Sequence, residues 1–460
     1  MKKETLINKV KLIYMVVFVL FLSAVAVSLA FNNSIWLDEG FSLRWSMLPF
    51  SSFVKRITLD VCPLYLIMLR IILTLTGNHL LAAKLFSAAA LILILIMDAT
   101  FIRKKFGLKA MTFFGLFFFC MPMVMKRAVE VRMYTWAFLW LLLAYSQMYF
   151  LIEQKQGKKN WILFTVFSLA ACYTHYFAVL SLVVAYAGMG IYFLFMKNWK
   201  QFRSWILCSG VTIVCYLPWV PIILRQSNSE TTSWIPRQSY VYEVLESMFE
   251  TGIPRSDKLF LLLCAALSVW GFILFCKHKS AESYWALLCI CSVWCVWILG
   301  IVFELFARPI LVKRYLMIPF CATIMGMSSL CKYLNKYITL LLCVFFILIG
   351  VHVYKDVYQE EYGTKANETL QFAKEHFEDT DIIATNADSL CSVIPYYFPD
   401  SRSIEDIYSD KYNYIWYFDT DQTLDPKKLK ETGISYIDYG SYGFDVEFEI
   451  YYLYREEGIQ

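Results

Sequence analysis

The chain has 460 residues, of which 59% are hydrophobic and only 17% charged. That balance excludes an ordinary soluble globular domain and indicates a polytopic α-helical membrane protein. The formal net charge of +5 is small for the length, and no Lys/Arg-rich run offers a nucleic-acid surface, so basic residues carry meaning through position.

The basic N-terminus runs into an apolar stretch from Leu12 to Phe31. "AVAVSLA" has the small residues of a cleavage site, but the many apolar segments that follow favour an uncleaved first span. "WLDEGFS" then sets Asp38 and Glu39 side by side. Phe50, Phe53, Val54 and Ile57 recur at i, i+3, i+4 and i+7, with Ser51, Ser52, Lys55 and Arg56 opposite, the pattern of an interfacial amphipathic helix. The segment 63–76 reaches only about 21 Å as a helix and carries Arg70 at its middle. It therefore reads as a second surface helix rather than a span.

Ten further apolar segments follow, at 80–101, 108–125, 133–152, 161–174, 176–196, 204–224, 258–276, 284–303, 312–330 and 337–354, about 11 spans in all. Residues 161–196 would form one helix of roughly 54 Å, beyond the ~30 Å hydrocarbon core, so the chain must turn near "YTHYF". With 63–76 at the surface, "RKKFGLK", "EQKQGKK", "MKNWKQFR", "KHK" and "CKYLNK" all fall on the cytoplasmic side with the N-terminus, as the positive-inside rule requires. Most of the 14 cysteines lie inside apolar runs without metal-ligand spacing and read as small buried hydrophobes.

Two domains are expected: 1–354, a membrane domain whose external loop 32–79 holds juxtamembrane helices, and 355–460, an extracytoplasmic α/β domain. In the latter, "KANETLQFAKEHF" and "DSLCSVIPYYF" have helical spacing, while "DIIATN", "YNYIWYF", "ISYIDY" and "FEIYYLY" read as strands. It contains neither GxGxxG nor a P-loop.

On this topology four polar motifs share the outer aqueous face: Asp38 and Glu39; "MKRAVEVRMY"; "YTHYF"; and "FELFARPILVKRYL". Each has a plainer reading: a solvated helix cap, snorkelling basic residues in an aromatic belt, a satisfied turn histidine, an i,i+4 pair of Glu304 with Arg308. Their coincidence on one face points to a site. Arginines at helix mouths clamp phosphate through charge-assisted bonds, and a carboxylate takes the proton of an attacking hydroxyl. Glu39 can orient the acceptor or join Asp38 in binding a divalent metal ion.

Taken together these motifs resemble bacterial members of glycosyltransferase family 39, relatives of the protein O-mannosyltransferases and the lipid A aminoarabinose transferases, which have the GT-C fold. "WLDEGFS" looks like the family's first-loop acidic motif, and "DVCPLYLIMLR" its D-x-H-P-P-L-Y segment. "AKLFSAAA" resembles R-L-L-S, "VEVRMYTW" E-A-R-M-Y, "THYFAVL" T-H-Y-F and "RPILVKRYL" R-Y-L. The resemblance implies an inverting transferase that moves a sugar from a polyprenyl-phosphate donor to a cell-envelope glycan, lipid or protein acceptor outside the membrane. It implies Asp38 as base with Glu39 its partner, Arg132, Arg314 and Lys313 on the donor phosphate, and Tyr134, His175 and Tyr315 as walls. The chain departs from two of the family's motifs: Val61 and Cys62 replace its His-Pro, and Lys84 its Arg. A lipid or sugar transporter would instead show internal repeats and charges near the midplane. An inactive, polymer-binding relative would keep the fold and lose the chemistry.

Overall fold

The structure is a computed structural model that describes residues 2–58, 62–153, 157–227, 235, 241–307, 309–378, 381–385, 393–403, 407–408, 413–420 and 423–455. Its helices begin with α1 (Lys2–Ser28), followed by the short α2 (Leu37–Met47), α3 (Phe50–Ile57) and α4 (Pro63–Thr76). Proline suits the start of α4, where its missing N–H has no helical partner to lose. Helix α5 (Leu80–Met97) passes through a π-helical turn, Asp98–Ile102, into α6 (Arg103–Phe106). Gly107, at φ +92°, then lets the chain break before α7 (Leu108–Phe119).

Pro122 holds Met121 extended (φ −70°, ψ 124°), which stops α7, and the chain restarts as α8 (Pro122–Lys126). There follow α9 (Tyr134–Ile152), α10 (Lys158–Cys172), α11 (Tyr176–Phe195), α12 (Trp199–Tyr216) and α13 (Val220–Ser227). The series continues through α14 (Val241–Ser247), α15 (Ser256–His278), α16 (Ala281–Phe306), α17 (Lys313–Ser329) and α18 (Lys336–Tyr362).

Among the described residues nine helices are long and apolar enough to cross a membrane, and the chain is a multi-pass membrane protein. Two of the eleven expected spans fall short of that length. The Pro122 break trims 108–125 to the 12 residues of α7, and 161–174 becomes the 15 residues of α10. Helix α4, at 14 residues, is as short as its sequence implies.

The chain divides into two compact units. The first comprises Met1–Ala30, Val54–Ile72 and Ala83–Val357. Its helices approach closely where a small residue removes bulk: a Cβ on Gly326 of α17 would lie 2.7 Å from the Ala286 carbonyl of α16. Buried hydroxyls tie further helices together, with Ser181 and Ser292 2.6 Å apart and the Tyr145 hydroxyl donating to Ser181 O at 3.1 Å. Such bonds satisfy polar groups where no water is at hand.

The second unit comprises Phe31–Phe53, Leu73–Ala82 and Tyr358–Gln460. The sequence-based boundaries place the first two of these stretches with the membrane portion, yet they cluster with the C-terminal residues. Polar contacts account for the grouping: Asn33 donates to Asn367 Oδ1 at 2.6 Å, and the Phe31 N–H to the Tyr362 hydroxyl at 3.1 Å.

The C-terminal part holds α19 (Ala366–His376), α20 (Ile394–Tyr397) and α21 (Pro426–Glu431). They accompany five strands: β1 (Ile383–Thr385), β2 (Arg402–Ser403), β3 (Tyr414–Asp419), β4 (Ile434–Gly443) and β5 (Glu447–Arg455). The sheet order is β2-β1-β3-β5-β4, parallel among β2, β1 and β3 and antiparallel from β3 through β5 to β4. Gly440, at φ +88°, sits in the register shift between Asp438 and Ser441, where a left-handed residue is needed. The expected small α/β domain is therefore present. The first part of its expected second helix, 388–392, lies outside the described residues.

Candidate active site

A basic cluster lies in the first unit. The chain between α8 and α9 folds back on itself, the Arg132 N–H donating to the Glu130 carbonyl at 2.7 Å. Glu130 is buried and pairs with Arg127 at 2.6 Å, while the Arg127 guanidinium lies 5.6 Å from the Tyr134 ring centroid. Tyr134 opens α9 with its hydroxyl buried and without a hydrogen-bond partner among the described residues.

His175 caps α11, its Nδ1 accepting the Phe177 N–H at 3.1 Å. The imidazole lies 5.9 Å from the Tyr134 ring and 4.9 Å from the Tyr315 ring. Burial, then the charges of Arg132 and Arg314, lower its pKa to about 3. A neutral ring that accepts at Nδ1 carries its proton on Nε2, so His175 presents a donor.

Lys313, Arg314 and Tyr315 form the first turn of α17, where the helix dipole adds positive potential to the two side-chain charges. Arg132, Tyr134, His175, Arg314 and Tyr315 thus gather into one cluster of cations, hydroxyls and a neutral imidazole. Such a set suits an anion. Lys313 is drawn aside: its ammonium meets Glu250 at 2.6 Å, and the other Glu250 oxygen lies 3.8 Å from Lys126. Glu250 occupies a left-handed conformation, φ +40°.

The acidic pair lies in the second unit. Asp38 and Glu39 stand in the first turn of α2, where acids offset the helix dipole. Glu39 is buried, and its Oε2 accepts the Trp36 N–H at 3.0 Å, the closing half of a capping arrangement. One Glu39 oxygen is therefore committed to the backbone, while Asp38 stays partly exposed. Among the described residues no three His, Cys, Asp or Glu side chains converge as a metal cluster. A divalent ion at this motif would have the carboxylates of Asp38 and Glu39 as its protein ligands.

The structure also places the positions at which the sequence departs from the family. Lys84 is fully buried on α5, one turn before Ser87, whose hydroxyl donates to the Glu130 carbonyl at 2.6 Å. An ammonium buried beside the basic segment is a costly feature, and its apolar surroundings in "AKLFSAAA" were the available signal. Cys62, at the position of the family's proline, is buried and hydrogen-bonds with the Tyr176 side chain. Its neighbour Leu64 donates to the Tyr173 carbonyl at 3.0 Å, tying the start of α4 to the His175 turn. Asp60, Val61 and Arg308 lie outside the described residues.

This arrangement of apolar helices, short surface helices and a small terminal sheet defines a membrane protein of the GT-C architecture. The chain is similar to the crystal structure of ArnT from Cupriavidus metallidurans bound to undecaprenyl phosphate, with 12% identity and a TM-score of 0.63 over 96% of this chain and 97% of that one. Against ArnT from the same organism in the apo state the TM-score is 0.60, again at 12% identity, over 95% and 97% of the two chains. No protein-family model and no curated protein matches the chain.

Proposed function

We propose that this chain is an inverting glycosyltransferase that moves a sugar from a polyprenyl-phosphate donor to a cell-envelope acceptor on the outer side of the membrane. The N-terminus is then cytoplasmic and the C-terminal domain extracytoplasmic. The observation that carries the reading is the gathering of Arg132 and Arg314 about a neutral His175, beside the unmatched Tyr134 hydroxyl. These groups suit a phosphate monoanion or dianion and leave no carboxylate among the five to repel it. The ArnT fold, seen in one neighbour with undecaprenyl phosphate bound, agrees with a lipid-linked phosphate as ligand.

In the proposed reaction an acceptor hydroxyl attacks the anomeric carbon from the face opposite the phosphate, and Asp38 takes its proton. The bond from that carbon to the phosphate oxygen breaks, and the electron pair leaves with the polyprenyl phosphate. Arg132, Arg314 and the first turn of α17 stabilise the charge gathering on the leaving group. Tyr134, His175 and Tyr315 line the pocket, and Lys313 joins the phosphate when released from Glu250. Glu39 holds the turn that presents Asp38.

The replacement of the family's His-Pro favours one other reading, an inactive relative that keeps the fold. Purified protein incubated with membrane lipid extracts separates the two: a polyprenyl-phosphate sugar is consumed by the enzyme and untouched by the inactive relative.

A further inference from the structure

One face of the C-terminal sheet is covered by α19 over only part of its area. Phe372 packs on Trp416 at 5.8 Å and Phe377 on Trp416 at 4.7 Å, closing the end of the face that continues to Phe418. Beyond that cover the same face carries Tyr414, Tyr452 and Tyr454. In the sheet register Tyr414 stands opposite Tyr454, and Trp416 opposite Tyr452. The Tyr414 and Tyr452 rings lie 6.2 Å apart and 14° from parallel, and those of Tyr452 and Tyr454 6.0 Å apart and 26° from parallel. Trp416 flanks Tyr452 across the strands at 4.7 Å. Tyr414 is 47% exposed, and Ile437, opposite Tyr452 on β4, is 44% exposed.

The result is a firm, open aromatic strip whose three phenol hydroxyls make no hydrogen bond to a described residue. Its border is acidic. Asp381 accepts from Trp416 Nε1 at 2.9 Å, and the Glu378 N–H donates to the same carboxylate at 2.9 Å. These bonds set Asp381 against Trp416 and Glu378 beside it, and burial, then Asp381 ahead of Glu378, push the Tyr452 phenol up. The neighbouring cation, Arg455, projects to the other face, where it donates to the carbonyls of Thr432 and Tyr408.

We infer that this tyrosine strip binds an uncharged glycan chain. Sugar rings present apolar C–H faces that lie on aromatic planes, and hydroxyl donors at their edges that match phenol and carboxylate acceptors. An acidic border, with Arg455 turned to the other face among the described residues, repels phosphate- and uronate-bearing polymers and anionic lipid headgroups, so charge selects the neutral chain. Row-wise spacing of the rings suits several successive residues of a chain better than a single sugar. The inference rests on the proposed transfer only for its purpose, the retention of an acceptor.

The test uses the full chain in detergent, without donor, on an array of neutral gluco-, galacto- and manno-oligosaccharides together with polyuronates and phosphorylated glycans. The expected result is retention on neutral chains alone, weakened about tenfold by Tyr414→Ala, the order of a lost aromatic stacking partner. Tyr414→Phe, which keeps the ring and loses one acceptor, lowers the affinity less than Tyr414→Ala, and Glu378→Ala lowers it. An unchanged melting temperature shows that these exposed substitutions leave the fold intact. Retention on no neutral glycan, retention only on charged glycans, or equal retention by Tyr414→Ala overturns the inference. Because no donor is present, these outcomes leave the transferase reading standing, and a failure of sugar transfer leaves glycan retention to be judged alone.

Discussion

The Tyr397 hydroxyl donates to the backbone carbonyl of Asn33, and the Tyr397 ring lies flat on Phe444 at 4.2 Å with 7° between planes. Five residues before Asp38, the chain is therefore fastened to the C-terminal part of its own unit. Tyr397→Ala removes the bond and the stack, together about 1–2 kcal/mol. Sugar transfer is expected to fall while polyprenyl-phosphate binding persists, and Tyr397→Phe should lose less. Paired turnover and lipid-binding measurements check this; equal turnover by the alanine variant and wild type would sink it.

Asp38→Asn keeps the size of the side chain and removes its capacity to take a proton. Transfer should drop by 10²-fold or more, the usual range of general-base catalysis, with donor binding intact. Single-turnover assays with a saturating donor decide the matter, and unchanged consumption refutes the assignment.

The phosphate clamp predicts a complementary pattern. Replacing Arg132 and Arg314 together by Gln should weaken polyprenyl-phosphate binding by about 10²-fold, the loss of two charge-assisted contacts. Normal lipid binding by this double variant removes the clamp.

His175 gives a pH dependence. Its folded pKa of about 3 lies below the ordinary 6.5, so between those values the unfolded chain binds a proton that the native state does not. Native stability is fully present above pH 6.5 and declines as pH falls toward about 3. The slope from this group is at most about 1.4 kcal/mol per pH unit. His175→Asn retains an acceptor for the Phe177 N–H without titrating, so unfolding midpoints followed from neutral to acid pH should show a shallower decline. A parallel decline in both proteins would assign the effect to other groups.

Glu250 pairs with Lys313 and lies near Lys126, so on the proposed reading it competes with an incoming phosphate. Glu250→Ala is expected to tighten polyprenyl-phosphate binding about threefold, a modest gain because all three side chains are part-exposed and solvent screens the pairs. Weaker binding would mean that the carboxylate instead holds Lys313 in its working position.

Much of this was legible in the sequence because bilayer physics is blunt. Long apolar segments with basic loops can hardly be anything but spans, and the turn at His175 follows from length alone. The meeting of Arg132, Tyr134, His175, Arg314 and Tyr315 was foreshadowed, since all five sit at the edges of apolar segments. Glu39 was harder. Its neighbour-acid motif suggests chemistry, whereas its bond to the Trp36 N–H is a matter of helix geometry that adjacent letters do not disclose. Glu250 carried no signal at all, because its meeting with Lys313 joins positions far apart in the chain. The grouping of residues 31–53 with the C-terminal sheet was hidden for the same reason: it rests on single hydrogen bonds such as Asn33 to Asn367.

That grouping has a consequence for how the protein is made. Residues 31–53 leave the ribosome early, while Asn367, Tyr397 and Phe444, which complete their unit, are synthesised hundreds of residues later. The loop bearing Asp38 must wait through the insertion of every intervening helix before it can take its final form. A nascent chain therefore carries Asp38 and Glu39 unset until translation is nearly over.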